Sequence, residues 1–149
     1  MSKPFPLQPL LDLANNRMDG AARRLGELIA GESEDCRKLE LLENYRAEYQ
    51  QRFQDACRDG IGPDAWRNFS LFIAKLDEAI NAQRAAVEQA RRSTAHGQKV
   101  WLDQRNKVKA FDTLSQRHMA QEARNDFRRE QRQTDEHATK QHRERHSDH

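Results

Sequence analysis

Breakers and cross-links are what this sequence has least of. Its 149 residues include only four prolines (Pro4, Pro6, Pro9 and Pro63) and six glycines. Proline removes a backbone donor and clashes inside a helix, so the long proline-free stretches are open to continuous helix. There are two cysteines, Cys36 and Cys57. On one helix they would lie roughly 30 Å apart, far beyond the reach of a disulfide. Reduced thiols suit a reducing compartment. Apolar residues make up only 36% of the chain, against 34% charged, which excludes a thick globular core and fits long exposed helices. No apolar run approaches the length of a membrane span; the longest clear one is Leu71-Phe72-Ile73-Ala74. The amino end also lacks the charged and apolar regions of a signal peptide. A soluble, cytoplasmic protein is expected.

Charge of one sign is missing as well. The 26 basic and 24 acidic residues give a net charge of +2 and are interleaved along the chain. Interleaving reads as solvated helix faces, not a duplex-binding surface, and no nucleic-acid partner is expected. One stretch departs from it. Arg84, Arg91, Arg92, Lys99, Arg105, Lys107 and Lys109 face only Glu88 and Asp103 across the same span. Two readings stay open there, a solvated face or a surface for an acidic partner.

Catalytic patterns are absent too. The sequence has no glycine-rich phosphate loop, no Walker lysine and no HExxH. His142 and His146 are spaced i, i+4 and could share a metal on a helix, but no acidic or cysteine set completes the site. A non-enzymatic protein with no metal or cofactor is expected.

What the chain does contain is a seam. From Trp66 the stripe Phe69, Ile73, Leu76, Ile80, Gln83, Val87, Ala90, Thr94, Gly97, Trp101, Gln104, Val108, Phe111 steps by three and four residues without a slip. Such a repeat marks heptad positions a and d of a coiled coil. A second stripe begins at Leu7 and runs through Leu11, Ala14, Met18, Ala21, Leu25, Leu28, Glu32, Asp35, Leu39, Leu42, Arg46, Tyr49, Phe53 and Ala56. Gly20, Gly26 and Gly31 each cost about 1 kcal/mol of helix propensity, and Glu32 and Asp35 put charge on the seam. Local looseness is expected near residues 26–36.

Between the stripes lies Asp59-Gly60-Ile61-Gly62-Pro63. Two glycines allow a tight reversal. Gly62 suits the N-cap and Pro63 the first helical position, with Ile61 and Trp66 spaced as a hydrophobic staple. Two long helices joined by a short loop run antiparallel. The expected fold is therefore all-α, a long antiparallel two-helix coiled-coil hairpin with unequal arms. Its parts are a lead-in over 1–6, helix over 7–58, a turn at 59–62, helix over 63–136 that overhangs its partner from about 115, and a flexible polar tail over 137–149.

The register follows from size. If facing residue numbers sum to 122, Trp66 meets Ala56, Phe69 meets Phe53, Ile80 meets Leu42, Gly97 meets Leu25 and Trp101 meets Ala21. Large then opposes small, as constant helix spacing demands. The charged layers, Asp35 with Val87 and Glu32 with Ala90, fall together in the middle.

One surface exceeds what a coiled coil requires. The g positions of both helices border the same side of an antiparallel seam, and they include Lys38, Tyr45, Phe72 and Ala79, beside the d residues Leu42, Tyr49, Leu76 and Gln83. Aromatic side chains from two helices at one height form an apolar patch suited to a partner. The alternative is that Tyr45 and Phe72 merely widen the core near the turn. Residues 115–136 carry few large apolar side chains, mainly Met119 and Phe127, among many Arg, Glu and Gln. A lone polar helix is marginal in water, so this overhang is expected to need a partner for order.

Taken together, the segments Pro6–Ala14, Tyr45–Tyr49, Asn68–Ile80 and Arg129–Glu136, in this order and spacing, resemble the flagellar export protein FliJ family over nearly the whole chain. The chain departs from that pattern at Asn15, Asn16, Gly20 and the histidine-rich end. The resemblance implies a cytoplasmic component of the flagellar type III export apparatus, peripheral to the inner membrane at the flagellar base and touching the membrane only through partners. It implies a stalk that sits in the hexameric ring of the export ATPase, promotes its assembly, connects it to the cytoplasmic domain of the membrane export gate, and handles export chaperones. On that footing the end formed by Leu7, Leu10, Leu11, Arg117, Arg124, Arg128 and Arg129 is expected to enter the ring, and the patch around Tyr45 and Phe72 to face the gate. Two other readings remain: a self-associating structural coiled coil, and the equivalent stalk of a virulence type III secretion system.

Overall fold

The computed structural model describes residues 3–147. Two helices account for most of them, α1 (Gln8–Asp59) and α2 (Pro63–Ser147), of 52 and 85 residues. The fold class is all-α, an antiparallel coiled-coil hairpin with unequal arms. At the start of α1, the carbonyl of Leu7 accepts from the amides of Leu10 and Leu11, both at 3.0 Å. Pro9 thus falls in the first helical turn, where a missing donor costs nothing.

α1 ends at a glycine with φ +87°, Gly60, whose amide donates to the carbonyl of Cys57 at 3.3 Å. A side chain would clash in this left-handed conformation, and it is what turns the chain out of the helix. Two residues later the carbonyl of Gly62 accepts from the amide of Trp66 at 3.0 Å, which makes Gly62 the N-cap and Pro63 the first residue of α2.

The far end of α2 departs from the sequence expectation. The helix does not stop near Glu136 but continues to Ser147, so residues 137–147 are helical and not an irregular tail. No glycine follows Gly97 and no proline follows Pro63, while Ala138, Lys140, Gln141, Arg143 and Glu144 are good helix formers. Nothing in the composition stops the helix there. Residues 148 and 149, including His149, lie outside the described residues, as do residues 1 and 2 of the lead-in.

The chain divides into two compact units, Gly20–Leu102 and the pair of segments 1–19 with 103–149. In the first, α1 and α2 pack along the seam. Leu76, Ile80 and Val87 are 7%, 4% and 3% exposed. The Phe53 and Phe69 rings lie 5.3 Å apart, and the Thr94 hydroxyl donates to the Leu28 carbonyl at 3.3 Å. Gly97 sits against Leu25 and Leu28 so closely that a Cβ there would fall 2.6 Å from a Leu28 methyl. All three pairings share the register in which facing numbers sum to 122. Trp66 departs from it. The indole was expected in the seam opposite Ala56, yet it is 55% exposed, with its ring 6.4 Å from that of Phe53. It occupies the last layer before the turn, and an alanine is too small to cover an indole.

Around residues 26–36, where looseness was expected, α1 is unbroken. Polar bonds replace apolar layers there. Gln83 donates through Nε2 to the carbonyl of Asp35 at 2.9 Å, and Arg91 reaches the carboxylate of Glu32 at 3.8 Å.

In the second unit the core is Leu11, Ala14 and Val108, joined by Met18 and Phe111. Beyond it the lead-in folds back on α2. The Lys3 amide donates to Glu122 Oε2 at 3.3 Å, the Lys3 carbonyl lies 2.9 Å from His118 Nε2, and the Phe5 ring stands 5.7 Å from the His118 ring. Glu122 is only 9% exposed. α2 is therefore covered as far as Glu122, and the unaccompanied portion begins later than the expected residue 115.

Candidate partner-binding surfaces

The seam of unit Gly20–Leu102 has two unlike flanks. Positions e of both helices line one of them. There Arg46 pairs with Asp77, Arg84 with Glu43 at 3.4 Å and Arg91, from α2, with Glu32. The Arg46 guanidinium bonds the Asp77 carboxyl and holds it below the usual carboxylate range. Three of the seven cations in the basic stretch are accounted for by Glu43, Glu32 and an in-helix pair between Arg92 and Glu88 at 3.6 Å.

Positions g line the other flank, and near the turn they carry rings. Tyr45 meets Phe72 edge-on, with centroids 6.1 Å apart and an interplanar angle of 89°. Tyr49 lies 4.5 Å from Phe72 and 5.2 Å from Phe69. Such pairs contribute about 0.5–1.5 kcal/mol each beyond their buried area. Tyr45 is still 42% exposed. Of the eight residues expected in this patch, Tyr45, Tyr49 and Phe72 form the ring cluster, Leu42 is half-buried beneath it, and Lys38 and Ala79 are exposed at its edge. Leu76 does not belong to the surface. It is buried in the seam, because a d residue in the middle of a hairpin faces the partner helix. Gln83 is half-buried and engaged with Asp35. Sequence reasoning missed the exposure of Trp66 and of several residues outside the seam, among them Leu41 and Leu71, 59% and 56% exposed. The only signal for Leu71 was its place outside the seam register.

At the other expected surface, in the unit of segments 1–19 and 103–149, the three leucines separate. Leu10 is 47% exposed and Leu7 half-buried, but Leu11 is 6% exposed and part of the core, since it occupies an a position. Arg117, Arg124, Arg128 and Arg129 are all exposed; Arg129 pairs with Asp126 at 3.0 Å. Arg117, Arg124 and Arg128 share a helix face by their i, i+7, i+11 spacing, and Phe127, 67% exposed, stands beside them at i+3 from Arg124. Met119 is 60% exposed. Both apolar side chains were visible in the sequence as the exceptions in a polar stretch; Phe127 belongs in the candidate surface, whereas Met119, two residues from Arg117, lies on the opposite helix face.

Among the described residues no group of three or more His, Cys, Asp or Glu is placed to hold a metal ion, and no helix is long and apolar enough to cross a membrane. The His142 and His146 rings are 4.2 Å apart.

What the geometry defines is an antiparallel coiled-coil hairpin with one apolar flank and an arginine-rich stretch of helix. Comparison with known proteins narrows the class. The model of the Flagellar FliJ protein family matches residues 2–147. A flagellar FliJ protein from Salmonella typhi is 30% identical over 138 residues, covering 93% of this chain and 94% of the relative. One from Escherichia coli K12 is 28% identical with the same coverage. The solved structure of CT670 from Chlamydia trachomatis, described as a YscO homolog, superposes with a TM-score of 0.73 at 19% identity, covering 95% of this chain and 96% of that one, and shows the same fold. The chain belongs to the flagellar FliJ protein family, and so is a component of flagellar protein export.

Proposed function

We propose that this protein is a non-enzymatic stalk of the flagellar type III export apparatus, with its two surfaces assigned to different partners. The exposed ring cluster of Tyr45, Tyr49 and Phe72 binds the cytoplasmic domain of the membrane export gate. Leu7, Leu10, Phe127 and the arginines Arg117, Arg124, Arg128 and Arg129 bind the hexameric export ATPase and stimulate it. Export chaperones dock on the same molecule. It works in the cytoplasm, held at the inner membrane at the flagellar base by its partners alone.

The observation that carries this reading is the cluster of rings beside the seam, whose outermost member, Tyr45, stays open to water. A core-widening role for Tyr45 would have buried it, whereas it is 42% exposed. An aromatic with one wet face anchors interfaces well. Separation of the two activities tests the assignment. Replacing Tyr45 and Phe72 with alanine should weaken binding to the purified gate domain about tenfold or more, with ATPase stimulation retained. Deleting residues 123–149, past the clamp at Glu122, should abolish stimulation with gate binding retained. Loss of both activities in either variant would defeat the division of labour.

A further inference from the structure

The apolar flank of unit Gly20–Leu102 does not end at the rings. Further from the turn it opens into a trough, because the residues that should wall it are small: Gly31, Ala86, Ser93 and Gly97. Two adjoining hollows of about 480 and 350 Å³ lie along it and share Leu28, Gln89 and Ser93. Val100 is 37% exposed at one end. The charges on its rim are sorted. The hollow nearer Val100 is edged by Arg24, Arg92 and His96 with no carboxylate among its lining residues. The hollow nearer Asp35 is edged by Glu27, Glu32 and Asp35 with no cation. The two mouths adjoin where Arg24 meets Glu27 at 3.4 Å, and Asp35, at the far end of the acidic one, lies about 16 Å from Arg24 along α1.

We propose that this trough docks one amphipathic helix of a partner protein, as a third strand against the hairpin. Its apolar stripe fills the space left by the small residues. Carboxylates beside that stripe meet Arg24, Arg92 and His96, and cations further along it meet Glu27 and Asp35. The rim charges are free to exchange. Arg24 and Arg92 are held only by exposed neighbours on their own helices, Glu27 at 3.4 Å and Glu88 at 3.6 Å, and such pairs contribute little. Glu32 leans toward Arg91 at 3.8 Å, whereas Glu27 has only its exposed partner Arg24 and Asp35 only the Gln83 amide at 3.4 Å, so these two set the acidic mouth. Two copies joined trough to trough do not fill it, because two concave faces leave the space empty. The chain's own described residues supply no further helix. The proposal is independent of which end meets the ATPase or the gate.

The test uses the full-length protein and three labelled synthetic helices of about three heptads with the same leucine stripe. One is flanked by Glu in its first half and Lys in its second, one by Glu only, and one by Lys only. Fluorescence polarisation should rank the bipolar helix first, about tenfold tighter than either uniform one. Arg24→Glu with Arg92→Glu makes the whole rim acidic and should move the Lys-only helix to first place. Ala86→Leu with Ser93→Leu fills the trough and should abolish binding of all three, with circular dichroism unchanged. Equal affinities, no binding of any helix up to about 1 mM, or binding indifferent to the filled trough would overturn the proposal. So would sedimentation showing a dimer that the filled trough dissolves, since that assigns the surface to self-association.

Discussion

The two flanks of the turn-bearing unit are built from one heptad pattern and do opposite things. On the e flank, Glu43 with Arg84 and Arg46 with Asp77 bridge the helices. On the g flank, Tyr45 with Phe72 and then Gly31 beside Ala86 leave apolar surface in water. An antiparallel coil permits this segregation, because e residues border e residues and g residues border g residues. In a parallel pair each flank mixes the two positions, and charge would be spread over both sides. The e flank is bridged by ion pairs between the helices, and the g flank keeps apolar side chains in water. Asymmetry around the seam is thus the means by which a thin two-helix protein keeps an apolar side without a thick core, and the proposed docking rests on it.

The contrast breaks most visibly at Leu76, which lies beneath the apolar flank but is only 7% exposed. If it belongs to the seam, Leu76→Ala costs about 2–4 kcal/mol in urea denaturation, by lost burial and a residual void. Tyr45→Ala, on the flank itself, costs about 1 kcal/mol or less. Similar losses for both would mean that the flank is structural and not a binding face. A finer separation comes from two glycines with no atom within 4 Å of an added Cβ, Gly26 and Gly31. Each replaced by alanine should gain up to about 1 kcal/mol, from helix propensity. Only Gly31→Ala should also weaken docking of the bipolar helix, because Gly31 lines the trough and Gly26 does not. Equal effects on docking would remove Gly31 from the contact.

The seam was legible because a 3-4 repeat is a property of residue order alone, and a register chosen by setting Gly97 against Leu25 was enough to bring Phe53 to Phe69 as well. The ring cluster was legible in part. Heptad letters brought Tyr45 and Phe72 to one side, but they do not distinguish a d residue sealed by the opposite helix, such as Leu76, from one left at the edge, such as Leu42. At Trp66 the opposing residue's size decides depth, since Ala56 is too small to cover an indole. The clamp of Lys3 and Phe5 on His118 and Glu122 was not legible, since it is made by backbone groups of a lead-in with no periodicity. Nor was the trough, which consists of what small side chains fail to fill. The continuation of α2 past Glu136 follows from the absence of any stop signal, and a histidine-rich composition is a poor substitute for one.

The smallest expected effect concerns the charged flank and its response to acid. Asp77 and Glu34 both have carboxyls held below the usual range, by Arg46 and Arg37 respectively, in each case through a side-chain hydrogen bond first. A carboxyl whose folded pKa lies below its unfolded value of 3.8, as for Asp77, binds fewer protons folded than unfolded between the two values. Its stabilising contribution is complete above 3.8 and is lost as pH falls through the folded pKa. The two pairs differ in origin. Arg46 reaches Asp77 across the seam, whereas Arg37 and Glu34 are i, i+3 neighbours on α1. The local pair also forms in any transient helix of the unfolded chain, so its shift partly cancels in the difference between states. Urea denaturation from about pH 7 to about pH 3 should therefore show a shallower acid loss in Asp77→Asn than in Glu34→Gln, and the gap should shrink in high salt because both partners of the bridge are half in water. An equal change in the two variants would mean that the bridges of the charged flank contribute no more to holding the helices together than a pair confined to one of them.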